Sequence, residues 1–203
     1  MTALILLVEH SFDRPRTQDA GKAEGPKLPV MTQPADLPPE DARYAALGQL
    51  VELAAVMEIA LRMAFCVLVG GSYAALVATA QETYWLIESC DAITRHRDDL
   101  SEAQRGTIRA ALRACRDANH HRNRLVHDAW GTGADGGPAL LRGGQGSYEI
   151  NGRAWTTAQI RAGADSVASA QRALLGAIEQ AFGTHSVRTA EQQLAAHAAE
   201  RGR

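Results

Sequence analysis

Long hydrophobic runs are absent from this sequence. The longest run near the start, Ala3 to Val8, meets Glu9 directly, whereas a membrane-spanning helix needs about 20 apolar residues. No basic residue precedes the run, so it is also a poor signal peptide. The sequence therefore predicts no transmembrane segment, and we expect a cytoplasmic protein.

The sequence also has little net charge and only three cysteines. The formal net charge is −2 and the isoelectric point is near 6.4, which excludes a globally basic nucleic-acid binder and requires any basic surface to be local. Cys66, Cys90 and Cys115 each lie within an apolar helical pattern, without metal-ligand spacing. We interpret them as buried, reduced thiols, and we expect no metal or other cofactor.

Aromatic residues make up only 5% of the 203 residues, although hydrophobic residues reach 46%, which is ordinary for a globular protein. The length suffices for one domain with a proper core. Residues 1–38 are polar and rich in Pro and Gly, so we expect a disordered tail, with Met31 as a plausible alternative start. We expect the domain over residues 39–183 and a partly helical C-terminal tail over residues 184–203, with one weak helix near Ala190 to Glu200.

Four segments carry apolar residues at helical spacing. The predicted helices span about Glu40–Val69, Tyr73–Arg95, Ser101–Ala129 and Thr156–Phe182. Ser101 and Thr156 each precede a glutamine by three positions, which is the capping-box pattern of a helix start. Between the last two helices, Leu140–Arg142 and Ser147–Ile150 flank a glycine turn, a pattern that predicts a short β-hairpin. The expected fold is all-α: a four-helix up-and-down bundle with a β-hairpin inserted before the last helix.

Two charged residues interrupt the apolar faces of this predicted bundle. Glu58 lies in the apolar stripe of the first helix, and Arg122 lies in that of the third. A carboxylate in such a position needs a partner. We predict that Glu58 and Arg122 form a structural ion pair that positions the guanidinium.

The end of the third helix holds the most distinctive chemical pattern. Arg122 is followed by the polar Asn123, and His127 comes five positions after the arginine. This pattern, at the end of the third of four helices and before a small insertion, resembles the HEPN superfamily of helical nucleotide-binding and RNA-cleaving domains. The resemblance covers about residues 40–182. It carries the family's functional residues onto Arg122, Asn123 and His127.

The resemblance implies metal-independent cleavage of RNA. Attack of a ribose 2′-hydroxyl on the adjacent phosphate needs a proton acceptor and then a proton donor, and imidazole can serve as either near neutral pH. A guanidinium stabilises charge on the phosphate oxygens, and Asn123 could orient the histidine or the phosphate. Five residues separate Arg122 from His127 by about 140° on a straight helix. We therefore expect poor convergence in one chain and a symmetric homodimer that brings the residues together.

A local basic surface is also predicted on the third helix. The candidate RNA-binding residues on it are Arg105, Arg109, Arg113, Arg116, His120 and Arg124. A solvated helix face is the alternative for the arginines. For His127, the alternative is a helix-end histidine that interacts only with the helix dipole or a carbonyl group. For Arg122, it is a structural arginine paired with a carboxylate. We expect His120 and His121 at the surface, and the histidine spacing does not close a tetrahedral metal site.

Two functional hypotheses follow. The first is an endoribonuclease that acts in phage defence or as a toxin, with a nucleotidyltransferase-type antitoxin as a partner. The second is a non-catalytic HEPN-like helical module that binds RNA, nucleotide or a protein. The intact set of Arg122, Asn123 and His127 favours the first hypothesis.

Overall fold

The computed structural model describes residues 39–71, 73–127, 129–132, 138–144 and 147–202, and the predicted N-terminal tail lies outside them. The helices are α1 (Pro39–Val69), α2 (Ala74–Thr79), α3 (Thr83–His96), α4 (Glu102–His127), α5 (Thr157–Phe182) and α6 (Thr184–Arg201). The strands are β1 (Ala129–Thr132), β2 (Pro138–Gly144) and β3 (Ser147–Ala154). This part of the protein is mostly helical, as the sequence predicts. None of its helices combines the length and the apolar stretch that crossing a bilayer would require.

The core lies between α1 and α5, which make the most extensive contact in the molecule. Helix α4 packs on α5, and α3 fills the space between α1 and α4. The largest fully buried side chains are Leu50, Met57, Leu61, Leu68, Leu86, Ile87, Ile108, Leu112, Leu125, Ile160, Leu174 and Ile178. Each such side chain contributes about 1.5–3 kcal/mol relative to exposure, so aliphatic packing holds the helices together.

Local signals at the helix ends behave as the sequence predicts. Ser101 Oγ accepts a hydrogen bond from the Gln104 amide at 3.3 Å, and Gln104 Oε1 accepts one from the Ser101 amide at 2.9 Å. Thr156 and Gln159 form the same capping box at the start of α5. Gly183 adopts a φ of 82° and separates α5 from α6, a backbone conformation that favours glycine. Both predicted capping boxes are confirmed.

The prediction of one continuous second helix over Tyr73–Arg95 is wrong. Helix α2 ends at Thr79 and α3 begins at Thr83, with Glu82 in an extended conformation between them. No glycine or proline marks the break. Side-chain hydrogen bonds flank the break on both sides: Thr79 Oγ1 donates to the Leu76 carbonyl at 3.1 Å, and Thr83 Oγ1 donates to Glu58 on α1 at 3.0 Å.

The third predicted helix ends earlier than expected, because the chain turns into a sheet. Helix α4 stops at His127, and Ala129 already pairs with Leu141 in the antiparallel ladder between β1 and β2. Strand β2 also pairs with β3, giving the order β1-β2-β3. The sheet therefore begins at Ala129, two positions after the last residue of the Arg122…His127 pattern.

The C-terminal segment is helical over more residues than predicted. Helix α6 begins at Thr184, well before Ala190, and it packs on α1, α2 and α5. Val187 and Ala190 are buried there. The first half of α6 thus packs on the helical body, whereas none of residues 191–200 is buried.

Candidate active site

The three motif residues meet within one chain at the C-terminal end of α4. Arg122 Nη1 donates a hydrogen bond to Asn123 Oδ1 at 2.8 Å and lies 3.4 Å from His127 Nε2. The expectation that Arg122 and His127 converge poorly in one chain is therefore wrong. Helical side chains lean toward the helix N-terminus, which brings the His127 imidazole back toward Arg122, and the long arginine side chain covers the remaining angle.

The Arg122 guanidinium is only a donor, so its contact with His127 is a hydrogen bond where Nε2 is the acceptor. His127 is exposed while Arg122 and Asn123 are half-buried, so the imidazole is accessible to a ligand.

The motif residues line a cavity of about 550 Å³ between α1, α4 and the α2–α3 junction. Helix α4 supplies Asn119 besides the motif residues, and α1 supplies Glu58 and Arg62. The rest of the wall consists of Thr79, Ala80, Gln81, Glu82, Thr83 and Tyr84. The break between α2 and α3 thus forms one side of the cavity.

Glu58 does not pair with Arg122, and the prediction of that ion pair is wrong. Glu58 pairs instead with Arg62, one turn along α1, and also accepts the hydrogen bond from Thr83. Arg62 Nε donates to the Ala78 carbonyl at 3.3 Å, so the pair ties α1 to both sides of the α2–α3 junction. An i,i+4 neighbour is reached without any tertiary rearrangement, which explains why Arg62 takes the carboxylate.

Arg122 consequently remains available to a ligand. It forms no ion pair with any residue that the structure describes, and its buried Nε has no hydrogen-bond partner there. An unsatisfied buried donor of a charged group is costly. An anionic ligand in the cavity would satisfy it.

Arg105 and Arg109, the first two arginines of the predicted basic surface, make structural contacts between α3 and α4. Arg105 donates to the carbonyls of Arg97 at 2.9 Å and Leu100 at 2.8 Å, which fixes the α3–α4 connection. Arg109 Nε donates to Asp91 Oδ1 at 2.8 Å across the same helix pair. Burial would raise the pKa of the Asp91 carboxyl, but hydrogen bonds from Arg109 and Arg95 outweigh it and hold that pKa below its usual value.

The remaining predicted RNA-binding residues lie further along α4. Arg113 is exposed, and Arg116 pairs with Glu88 of α3 at 2.5 Å. Arg116, His120 and Arg124 line a second cavity of about 560 Å³. The structure thus brings three of the six residues to one place, next to the motif, and leaves the other three outside both cavities.

His121 is half-buried, whereas His120 is exposed as predicted. The His121 ring packs edge-on against Trp155 with 5.2 Å between ring centroids. It also lies directly over Gly163 of α5, where a Cβ atom would come within 2.8 Å of His121 Cδ2. Burial first, and then Arg124 and His120, lower the pKa of the imidazole. A local sequence pattern cannot show this packing, because Gly163 lies 42 positions away in the chain.

The cysteines are confirmed as free, buried thiols. Burial raises the pKa of Cys66 to about 11 and that of Cys115 to about 12, and it raises the pKa of Cys90 as well. A thiol that stays protonated at neutral pH is a poor nucleophile. Over the described ranges, no three His, Cys, Asp or Glu side chains gather as a metal-binding group.

Three residues of the cavity lining, Asn119, Arg62 and Tyr84, were not predicted as site residues. Asn119 lies three and four positions before Arg122 and Asn123, so helical spacing could have placed it on their side of α4. Arg62 could have been found as the i+4 neighbour of Glu58. The position of Tyr84 in the cavity wall depends on the break between α2 and α3, which no glycine or proline in the sequence indicates.

No family model, curated protein or solved structure matches this chain. The chemistry of the site must therefore be argued from its own side chains and their geometry.

Proposed function

We propose that this protein is a metal-independent endoribonuclease of the HEPN type, with Arg122, Asn123 and His127 as its catalytic residues. The proposal is supported by one observation: the Arg122 guanidinium contacts both Asn123 Oδ1 and His127 Nε2 at the wall of an open cavity. Helices α1, α3, α4 and α5 would be the four helices of the HEPN bundle, with the sheet inserted before the last one.

The proposed reaction follows from the two side chains. The Arg122 guanidinium turns from His127 to the phosphate, His127 Nε2 takes the proton from a ribose 2′-hydroxyl, and the 2′-oxygen attacks the adjacent phosphorus. The bond from phosphorus to the 5′-oxygen breaks, and the imidazolium returns its proton to that leaving oxygen. Arg122 stabilises the charge that develops on the phosphate oxygens. The products are a 2′,3′-cyclic phosphate and a 5′-hydroxyl.

The charges around the cavity are compatible with a phosphate ligand. Arg62 neutralises Glu58, so the motif arginine faces the cavity without competition from that carboxylate. Glu82 is the other acid of the lining and is exposed, where solvent screens its charge. Asn119 and Asn123 add neutral hydrogen-bonding groups.

The direct test is incubation of the purified protein with total cellular RNA in the presence of a chelator. We expect cleavage, and the new ends should carry 2′,3′-cyclic phosphate and 5′-hydroxyl groups. Resistance of the ends to a cyclic phosphodiesterase, or loss of cleavage on chelation, would contradict the proposed chemistry. Absence of any cleavage would favour the alternative, a non-catalytic helical module that binds RNA, nucleotide or protein.

Substitutions then assign the activity to this site. We expect His127→Ala to reduce the cleavage rate by about 10²–10⁴-fold, the usual contribution of general acid–base catalysis. Arg122→Lys keeps the charge but loses the bidentate fork, so we expect a large loss with little change in melting temperature. His96→Ala is the matched control, because His96 is exposed at the end of α3 and lines neither cavity. Equal cleavage by wild type and His127→Ala would assign the activity to another site.

The biological setting is part of the same proposal. An RNA-cleaving HEPN protein would act in the cytoplasm as a toxin or phage-defence effector, as a homodimer and under the control of an antitoxin of the nucleotidyltransferase type. Expression of the wild type should arrest growth of a bacterial host, whereas His127→Ala should not. Equal toxicity of the two proteins would contradict the toxin role.

A further inference from the structure

The second cavity adjoins the candidate active site. It is lined by Arg116, Asp117, His120, His121 and Arg124, and it shares Tyr84, Asn119 and Asn123 with the first cavity. Tyr84 and the two asparagines therefore lie where the two spaces meet. A ligand long enough to fill both cavities must pass over the Tyr84 side chain.

Tyr84 is an exposed aromatic residue that lines both cavities. It is 62% exposed, whereas its neighbour Trp85 is 39% exposed and packs on Phe65 with 5.4 Å between ring centroids. The two aromatic residues of α3 thus differ, because Trp85 has a packing partner and Tyr84 lies at the cavities. Stacking of a flat ligand on an exposed aromatic ring is favourable, because it removes apolar surface from water.

The rest of the second cavity is suited to an anion. Arg124 Nε, Arg116 Nε and His121 Nε2 are buried and have no hydrogen-bond partner within the described part of the chain. Arg116 is partly neutralised by Glu88, but Arg124 has no ion-pair partner there, and Asp117 is the single acid of the lining. The guanidinium groups of Arg116 and Arg124 can bind ligand oxygens from the cavity wall, whereas His121 Nε2 faces Gly163 of α5.

We propose that the second cavity is a nucleotide subsite for single-stranded RNA, in which Tyr84 stacks on a base and Arg124 holds a phosphate. The subsite extends the catalytic cavity and rests on the proposed ribonuclease function for its position in the reaction. A base can stack on an aromatic side chain only when it has left its neighbours in a duplex, so the substrate must be single-stranded here. Stacking is tolerant of base identity, so we infer weak sequence preference at this position.

Binding can be measured apart from cleavage. A fluorescently labelled 2′-O-methyl RNA oligonucleotide lacks the 2′-hydroxyl nucleophile, so the full-length wild-type chain can bind it without cutting it. We expect Tyr84→Ala to weaken binding of this single strand by about 5- to 150-fold, and Tyr84→Phe to bind like the wild type. Arg124→Ala should weaken binding and reduce its salt dependence. A duplex of the same sequence should bind less tightly than the single strand.

Tyr44→Ala is the matched control, because Tyr44 is also 62% exposed but lines neither cavity. It should bind the oligonucleotide like the wild type. Equal affinity of Tyr84→Ala and wild type, equal losses in Tyr84→Ala and Tyr44→Ala, or no binding at all would each overturn the subsite. The two proposals fail separately: Tyr84-dependent binding without cleavage of natural RNA overturns the ribonuclease, whereas cleavage with an unchanged kcat/KM in Tyr84→Ala overturns the subsite.

Discussion

At the scale of single residues, His121 packs directly on Gly163 beside the site. A Cβ at position 163 would lie 2.8 Å from His121 Cδ2 and 2.9 Å from His121 Nε2. The imidazole also packs edge-on against Trp155, so moving it away from Gly163 would disturb that contact. We expect Gly163→Ala to lower the free energy of unfolding by about 1–3 kcal/mol, the usual cost of overpacking, as measured by urea denaturation.

Gly176→Ala is the matched control, because Gly176 lies on the same helix with open space where a Cβ would be. There the replacement should stabilise the protein by about 0.5–1 kcal/mol, the helix preference of alanine over glycine. Adding His121→Ala to Gly163→Ala should remove most of the clash. If both glycine replacements stabilise the protein equally, the packing of His121 on α5 is not as tight as described.

The burial of His121 also predicts a pH effect. Burial first, and then Arg124 and His120, lower its pKa below the ordinary value of 6.5, so the unfolded chain takes up the proton more readily than the folded one. The contribution of neutral His121 to stability is therefore present above about pH 6.5 and is lost as the pH falls through the folded pKa. We expect the melting temperature to fall between pH 7 and pH 5, and His121→Gln to reduce that fall. If the melting temperature of His121→Gln falls as steeply as that of the wild type, His121 is not the source of the pH effect.

At the scale of secondary-structure elements, the connection of α3 to α4 depends on Asp91. This nearly buried carboxylate on α3 accepts hydrogen bonds from Arg95 and from Arg109 of α4. We expect Asp91→Asn to lower the free energy of unfolding at neutral pH by about 1–3 kcal/mol, because it leaves two guanidinium groups without their charged acceptor. Urea denaturation measures the loss. Asp165→Asn is the control, since Asp165 is exposed on α5.

The same contact predicts how this loss depends on pH. The pKa of the Asp91 carboxyl lies below its ordinary value of 3.8, so its stabilising contribution is present above that pH and is lost as the pH falls through the folded pKa. The difference in stability between wild type and Asp91→Asn should therefore shrink in strongly acidic solution. A difference that stays constant with pH would mean that the carboxylate charge does not link α3 to α4.

The sequence predicts those elements whose signals are local. The Thr156 capping box and the end of α1 before Gly70 depend on residues within a few positions, so they are predictable. The break after Thr79 is not, because it depends on Glu58 of α1, which lies 25 positions before Thr83. That break forms a wall of the candidate active site. The motif could therefore be found in the sequence, but the cavity around it could not.

At the scale of the whole molecule, the position of the site within one chain matters most. The predicted need for a second chain depended on an angle of about 140° between Arg122 and His127 on an ideal helix. With Arg122 Nη1 only 3.4 Å from His127 Nε2, one chain already brings both groups together. A homodimer can still form, but each of its two sites would then take both residues from the same subunit.

Coexpression of Arg122→Lys with His127→Ala distinguishes a site within one chain from a site shared between chains. If each site takes both residues from one chain, every site in the mixture carries one defect, so we expect no recovery of RNA cleavage above the single variants. If instead each site combined Arg122 of one subunit with His127 of the other, half of the dimers would be mixed and would hold one intact site each. Cleavage would then recover to about a quarter of the wild-type rate. The rate is measured on the unselected mixture, and purification of a separate portion through tags on both subunits confirms that mixed dimers are present. Recovery to that level would contradict the catalytic contact between Arg122 and His127 within one chain.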